Sequence, residues 1–181
     1  MFKVRSIFAV ACMALLLGSC QTASLFGREF FKLAGPIPGV AEWKTISRQE
    51  TADVAIEERI PVGDHPPQNW TRLFGLASLR LSTIDPKLRR DKVMFMKDFM
   101  ERRCPGGSQW RVLRNDEKGL IYERRSKLCR GQPEEHEVGR YVDGELNRFK
   151  VWYVKRVARM PDAERDMWID YFTKAVIVNL N

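Results

Sequence analysis

Four short runs of alternating apolar and polar residues follow one another in the second half of the chain. They read QWRVLRN, GLIYERRSK, HEVGRYVDG and NRFKVWYVKRVA, and stretches rich in Gly, Pro, Asn or Asp separate them. Alternation with period two is typical of β-strands, and short connections join antiparallel neighbours. The sequence therefore predicts an antiparallel meander around which the rest of the chain must pack.

The last of these runs is apolar on both faces. Trp152 and Val154 fall on one face, and the opposite face carries Phe149, Val151, Tyr153 and Val157. A strand of this kind needs cover on both sides of its sheet, or one of its faces meets a partner. We expect cover, and we keep Trp152 as a candidate binding residue.

Two helices are predicted to supply that cover. The first lies in STIDPKLRRDKVMFMKDFMERRCPGG, where Asp85 can cap the helix, Pro86 suits its first turn and Pro105 ends it. The second is C-terminal, in MPDAERDMWIDYFTKAVIVNLN, with an apolar band that extends from Met167 to Val176.

Three further runs, EWKTISRQE, ADVAIEERIPVG and WTRLFGLASLRL, predict strands before the first helix. The fold class is then α+β, an antiparallel sheet of about six to seven strands packed by a central helix and a C-terminal helix. This order of elements resembles that of small periplasmic domains of the PsbP and Mog1 type. No diagnostic motif accompanies the resemblance.

The N-terminus begins with MFKVRS and continues with the apolar run IFAVACMALLLG, which is too short to cross a bilayer as a helix. This pattern is typical of a signal peptide, and small residues precede Cys20. Leu17, Gly18, Ser19 and Cys20 together resemble the lipobox of bacterial lipoproteins.

The resemblance implies that residues 1–19 are removed and that Cys20 receives a diacylglycerol on its sulfur. Several acyl chains anchor a protein stably, whereas one holds it only marginally. The residue after Cys20 is Gln21 and not Asp, which implies sorting to the outer membrane instead of the inner membrane. The domain would then face the periplasm. The alternative is an ordinary cleaved signal with an incidental cysteine.

Residues 20–40 are expected to form a lipidated tether with a short helix, and residues 41–181 a single α+β domain. Leu25, Phe26, Phe30 and Leu33 would share one side of that helix. The helix would either pack on the domain or lie in the membrane interface.

The formal net charge is +8, and removal of Lys3 and Arg5 with the leader leaves +6. The first helix carries a basic face, from which we select Lys87, Arg89 and Arg90 as candidate binding residues together with Trp152. In an envelope such a face could meet anionic lipid or glycan, and simple solvation is the alternative. No nucleic-acid motif is present, so no nucleic-acid partner is predicted.

Cys104 and Cys129 are the two cysteines of the predicted domain. Because the periplasm is oxidising, we predict that they form a structural disulfide. A redox or metal site is the alternative, but the spacing lacks a CxxC pattern. We predict neither a metal nor a cofactor.

Catalytic motifs are not evident. His136 and Glu137 lack the second histidine of HExxH because Arg140 stands in its place, and His65 lies in a turn. The sequence favours a non-enzymatic binding or accessory domain with a protein, lipid or glycan partner, as in a secretion or assembly component or an immunity protein. The alternative is an enzyme acting on an envelope polymer through carboxylates and His136.

Overall fold

The computed structural model describes residues 22–26, 29–66, 69–127 and 133–179, with 22–26 described as backbone. The predictions for residues 1–21, including Cys20, and for Cys129 lie outside these ranges. Within them the strands are β1 (Thr22–Phe26), β2 (Glu29–Lys32), β3 (Trp43–Glu50), β4 (Val54–Pro61), β5 (Arg72–Arg80), β6 (Ser108–Asp116), β7 (Gly119–Ser126), β8 (Glu135–Asp143), β9 (Asn147–Lys155) and β10 (Val176–Asn179). The α-helices are α1 (Pro86–Arg90), α2 (Lys92–Arg103) and α3 (Asp162–Lys174).

Seven strands form one antiparallel sheet in the order β3-β4-β5-β9-β8-β7-β6. The strands β6 to β9 are the predicted meander, and β9 pairs with β5, so that the two halves of the chain join at the centre of the sheet. The expected α+β class, the antiparallel sheet and the C-terminal helix are confirmed.

Each face of this sheet is covered by a different helix. We call them the α3 face and the α2 face. On the α3 face, Phe149, Val151 and Tyr153 of β9 join a core cluster with Trp168 and Phe172 of α3. On the α2 face, Tyr122 and Tyr141 pack with the α2 side chains Phe95, Met96 and Met100. The predicted division of β9 between two faces is confirmed, because Trp152 and Val154 belong to a separate cluster from Phe149.

Residues 22–26 and 29–32 form strands, so the short helix expected there is wrong. β1 and β2 pair with each other, and β2 pairs with β10 in a small three-stranded sheet. The ring of Phe31 stacks on Phe149 with centroids 5.9 Å apart, and Leu33 and Ile37 lie in the same core. Pairing of β2 with both β1 and β10 overrides the local helical spacing, and β2 is part of the folded structure.

The first predicted helix is in fact two helices. Asp91 has extended backbone angles, φ −118° and ψ 99°, and its carboxylate accepts hydrogen bonds from the N–H groups of Val93 and Met94. It therefore caps a new helix within a run that looks continuous in sequence. Arg148 donates to the carbonyl oxygens of Leu88 and Arg89, which satisfies the end of α1.

The C-terminal helix ends at Lys174. Val176, which we expected in its apolar band, begins β10 and pairs with Lys32. That expectation is wrong because the backbone of 176–179 finds a strand partner, which a longer helix would not provide.

Candidate functional site

An apolar groove of about 220 Å³ lies on the α2 face, between α2 and the strands β4, β5 and β9. We call it the α2 groove. It is lined by Val54, Ile56, Glu58, Ala77, Leu79, Phe95, Phe99, Tyr141, Lys150 and Trp152.

Two small residues on β5 make room for the ring of Trp152 and for the groove beside it. Gly75 and Ala77 lie on the α2 face. Their cross-strand partners on β9 are Trp152 and Lys150, respectively. A Cβ atom at Gly75 would lie 2.1 Å from the indole of Trp152, so the ring occupies the space above this glycine. Tyr122 uses Gly139 in the same way, with 2.5 Å between the ring and the position of a Cβ. Large side chains on β7 and β9 therefore fill space that β5 and β8 leave open.

The floor of the groove holds a buried lysine among aromatic rings. The Nζ atom of Lys150 lies 4.4 Å from the ring centroid of Trp152 and 5.1 Å from that of Phe99. The rings of Tyr122 and Tyr141 are each 5.8 Å away. A cation held over ring faces gains electrostatic stabilisation from their quadrupoles.

Lys150 also belongs to a buried ion-pair network. Its Nζ atom lies 3.2 Å from a carboxylate oxygen of Glu137, and Arg124 lies 2.8 Å from the other oxygen. Arg124 also pairs with Glu135 at 3.2 Å, and the hydroxyl of Tyr122 donates to Glu137. Two cations thus balance two anions, which is what allows these charges to be buried.

The pKa values of this network follow from its burial and pairing. Burial opposes the charge on Arg124, but Glu137 and Glu135 outweigh this and raise its pKa. Burial, followed by the charge of Glu137, raises the pKa of Tyr122 well above its ordinary value. Tyr122 therefore stays a neutral hydrogen-bond donor. The network fixes the floor of the groove and holds the proton on Tyr122 tightly.

His136 and Glu137 lie on opposite faces of the sheet, because they are successive residues of β8. His136 is fully buried on the α3 face. Its Nδ1 atom accepts a hydrogen bond of 2.7 Å from the N–H of Met160, and its Nε2 atom lies 2.8 Å from Glu123. The structure does not bring together the pair on which the enzymatic alternative was based.

The surroundings of His136 favour its neutral form. Burial lowers its pKa, and the charge of Glu123 only partly opposes this effect. Burial would raise the pKa of Glu123, but hydrogen bonds from Arg111 and Arg125 lower it to about 2. With Nδ1 accepting from a backbone N–H, the proton of the neutral ring is on Nε2 and faces the carboxylate.

The predicted binding residues are divided between two places. Trp152 lines the α2 groove with 8% of its surface exposed. Lys87 and Arg90 are exposed on α1, whereas Arg89 is half-buried and donates to the carbonyl of Ile84. The guanidinium group of Arg148 connects the two places, since it binds α1 and lies 4.8 Å from the groove residue Phe95.

The remaining candidate residues lie away from the groove. His65 is exposed in the turn after β4. Cys104 is buried at the end of α2 and carries a disulfide bond. Because Cys129 is outside the described ranges, its pairing with Cys104 stays a prediction.

Sequence reasoning missed most of the groove. Lys150 was not selected, although a lysine between Phe149 and Val151 in a strand apolar on both faces is a usable signal. Gly75 and Ala77 alternate on β5 as small residues, which is a weaker signal of a depression. Phe99 lies in the first predicted helix, and nothing in the sequence indicates that its ring lines a groove.

In the ranges that the structure describes, no helix combines the length and apolarity needed to cross a membrane. The same ranges contain no group of three His, Cys, Asp or Glu side chains arranged to hold a metal ion. Comparison with known proteins finds no matching family model, no matching curated protein and no matching solved structure.

Proposed function

We propose that this chain is a lipid-anchored protein of the bacterial cell envelope. Cys20 holds it at the membrane, with outer membrane favoured by Gln21, and its α+β domain binds an envelope protein without catalysing a reaction. The α2 groove is the proposed contact. The observation that carries the proposal is this apolar depression on the sheet, whose floor is fixed by a charge-balanced network.

The size of the groove favours a protein partner over a small molecule. Ligand pockets usually measure roughly 300–1,000 Å³, whereas this groove measures about 220 Å³. That volume suits one apolar anchor side chain, and such anchors in pockets dominate protein interfaces. Half-buried Glu58 adds a polar group to the rim, which agrees with the usual division into apolar centre and polar rim.

The membrane anchor is tested by mass spectrometry of the protein purified from its native envelope. The expected product begins at Cys20 and carries acyl chains. A chain that begins at Met1, or an unmodified Cys20, contradicts the anchor. A Cys20→Ala variant, expected to remain unlipidated, provides the control.

The groove is tested by photo-crosslinking in intact cells. A benzoylphenylalanine placed at Phe99 reports on the α2 groove, and one at Tyr171 provides a control aromatic position on the other face. We expect a discrete adduct from position 99, at least tenfold reduced when Ala77→Leu fills the groove. An adduct of equal yield from position 171, or one that Ala77→Leu leaves unchanged, contradicts the proposal.

Thermal unfolding of the Ala77→Leu variant in parallel shows that the domain remains folded. If the variant unfolds early, Leu79→Gln at the half-buried groove wall replaces it in the same experiment.

A further inference from the structure

The proposed lipidation site, Cys20, is two positions before the first described strand. β1 begins at Thr22, so Gln21 is the single residue between it and Cys20. An extended chain spans at most about 3.3–3.6 Å per residue. The two residue steps from Cys20 to Thr22 therefore span at most roughly 7 Å, so a lipid on Cys20 would hold the domain without a long tether.

The strand pairing identifies what lies next to the anchor. Thr22 pairs with Lys32, and Lys32 pairs on its other side with Val176. Lys32 is exposed, and Val176 is 52% exposed. Lys174 is nearby at the end of α3, with its side chain 63% exposed and paired with Asp170.

This row is fixed relative to the rest of the domain. Phe31 stacks on Phe149 of the large sheet. The carboxylate of Glu29 accepts hydrogen bonds from the N–H group of Leu146, in the turn after β8, and from that of Asn147, the first residue of β9. The small sheet therefore lies on the α3 face, and α2 with its groove lies on the opposite face.

We infer that the exposed side chains of Lys32 and Val176, in register with the start of β1, contact the bilayer, and that the α2 groove faces away from it. The inference rests on the proposed lipid anchor. The partner is an anionic lipid surface: an exposed valine suits the interface, and basic side chains near an anionic bilayer gain electrostatic attraction. A groove on the opposite face is then accessible to a periplasmic protein.

The test compares two exposed apolar positions on opposite faces, Val176 at 52% and Met94 at 46% exposure. Val176→Cys and Met94→Cys are made in the full chain, purified from membranes and labelled with an environment-sensitive fluorophore under non-reducing conditions. Each is reconstituted in vesicles of phosphatidylglycerol and phosphatidylcholine that contain spin-labelled lipid. We expect at least fivefold stronger quenching at position 176 than at position 94.

Equal quenching at the two positions, or stronger quenching at position 94, overturns the inference. Mass spectrometry of the same samples separates the two proposals. A missing acyl group contradicts the lipid anchor, whereas an acylated protein with equal quenching contradicts the orientation alone. Lys32→Glu is expected to reduce quenching at position 176 at least twofold in these vesicles, and less in phosphatidylcholine alone.

Discussion

The indole ring of Trp152 occupies the space where a side chain at Gly75, its cross-strand partner on β5, would begin. A Cβ atom there would lie 2.1 Å from the ring. Because β5 and β9 are central strands, neither backbone can move away without disturbing its other neighbour. The shape of the α2 groove depends on this pair.

Gly75→Ala is therefore expected to destabilise the domain by about 1–3 kcal/mol, as overpacked core substitutions do when the backbone must shift. Urea unfolding measures the change. Gly35→Ala is the control, because nothing lies within 4 Å of a Cβ at Gly35. Adding Trp152→Leu to Gly75→Ala should recover part of the loss, and a strictly additive double variant would contradict the steric explanation.

Glu29 is expected to be a strong point of attachment for the small sheet. Its buried carboxylate accepts hydrogen bonds from the backbone N–H groups of 145–147 and from the side chain of Asn147. Glu29→Gln replaces one acceptor oxygen with a donor that faces these N–H groups, which should cost about 2–4 kcal/mol. Glu145→Gln, an exposed neighbour, should stay within about 0.5 kcal/mol.

Denaturant unfolding at pH 7 compares the free energies of unfolding of Glu29→Gln and Glu145→Gln. Hydrogen exchange of the amides of 145–147 locates the effect. Unchanged protection of these amides in Glu29→Gln would show that the carboxylate is not what holds the turn.

Arg140 connects the end of α3 to the turn between β6 and β7. Its guanidinium group donates to the carbonyl oxygens of Phe172, Ala175 and Lys118. Arg140→Lys keeps the positive charge, but one ammonium group cannot reach both the end of α3 and the turn between β6 and β7. We expect a loss of about 1–3 kcal/mol for Arg140→Lys in urea unfolding, and a larger loss for Arg140→Met. Equal stability of Arg140→Lys and wild type would contradict this role.

Stability should fall as the pH decreases from 7 to 5, and His136 should be a principal cause. An unfolded histidine has a pKa of about 6.5, and burial lowers the native value. His136 then binds a proton more readily in the unfolded state than in the native state, so the free energy of unfolding decreases below about pH 6.5. Glu123, with a pKa of about 2, stays ionised over this range and adds its own loss only below about pH 4.5.

The measurement is the free energy of unfolding at pH 7, 6 and 5. His136→Gln should be less stable overall but show a flatter dependence on pH. His65→Gln, which changes the exposed histidine, should retain the wild-type slope. If His136→Gln and wild type show the same slope, another group is responsible.

The predicted pairing of Cys104 with Cys129 would close a loop of about 25 residues and stabilise the fold by roughly 3 kcal/mol. Peptide mapping without reductant should recover the two cysteines as one linked peptide. Cys129→Ser should lower the unfolding free energy, and added reductant should then have little further effect. Recovery of Cys129 as a free thiol would contradict the pairing.

The sequence by itself determined the elements whose signals are local. Alternation predicted the strands of the meander and the opposite faces of Phe149 and Trp152, because successive side chains in a strand point in opposite directions. It also predicted the C-terminal helix and the α+β class. These features depend on residues that are only a few positions apart, so a short stretch of sequence is enough to predict them.

Only the tertiary structure decided what depends on distant partners. The strand that contains Phe31 pairs with β1 on one side and with β10, more than 140 residues later, on the other. Asp91 ends one helix and begins another, and Arg148 binds the end of the first. Register puts Lys150 and Glu137 on the same face, where it pairs Lys150 with Tyr141 and Glu137 with Val154. The Lys150 side chain then reaches Glu137 and lies near the rings of Phe99 and Trp152. A shift of one residue would turn these side chains to the other face, and nothing in the local pattern specifies which strands become neighbours.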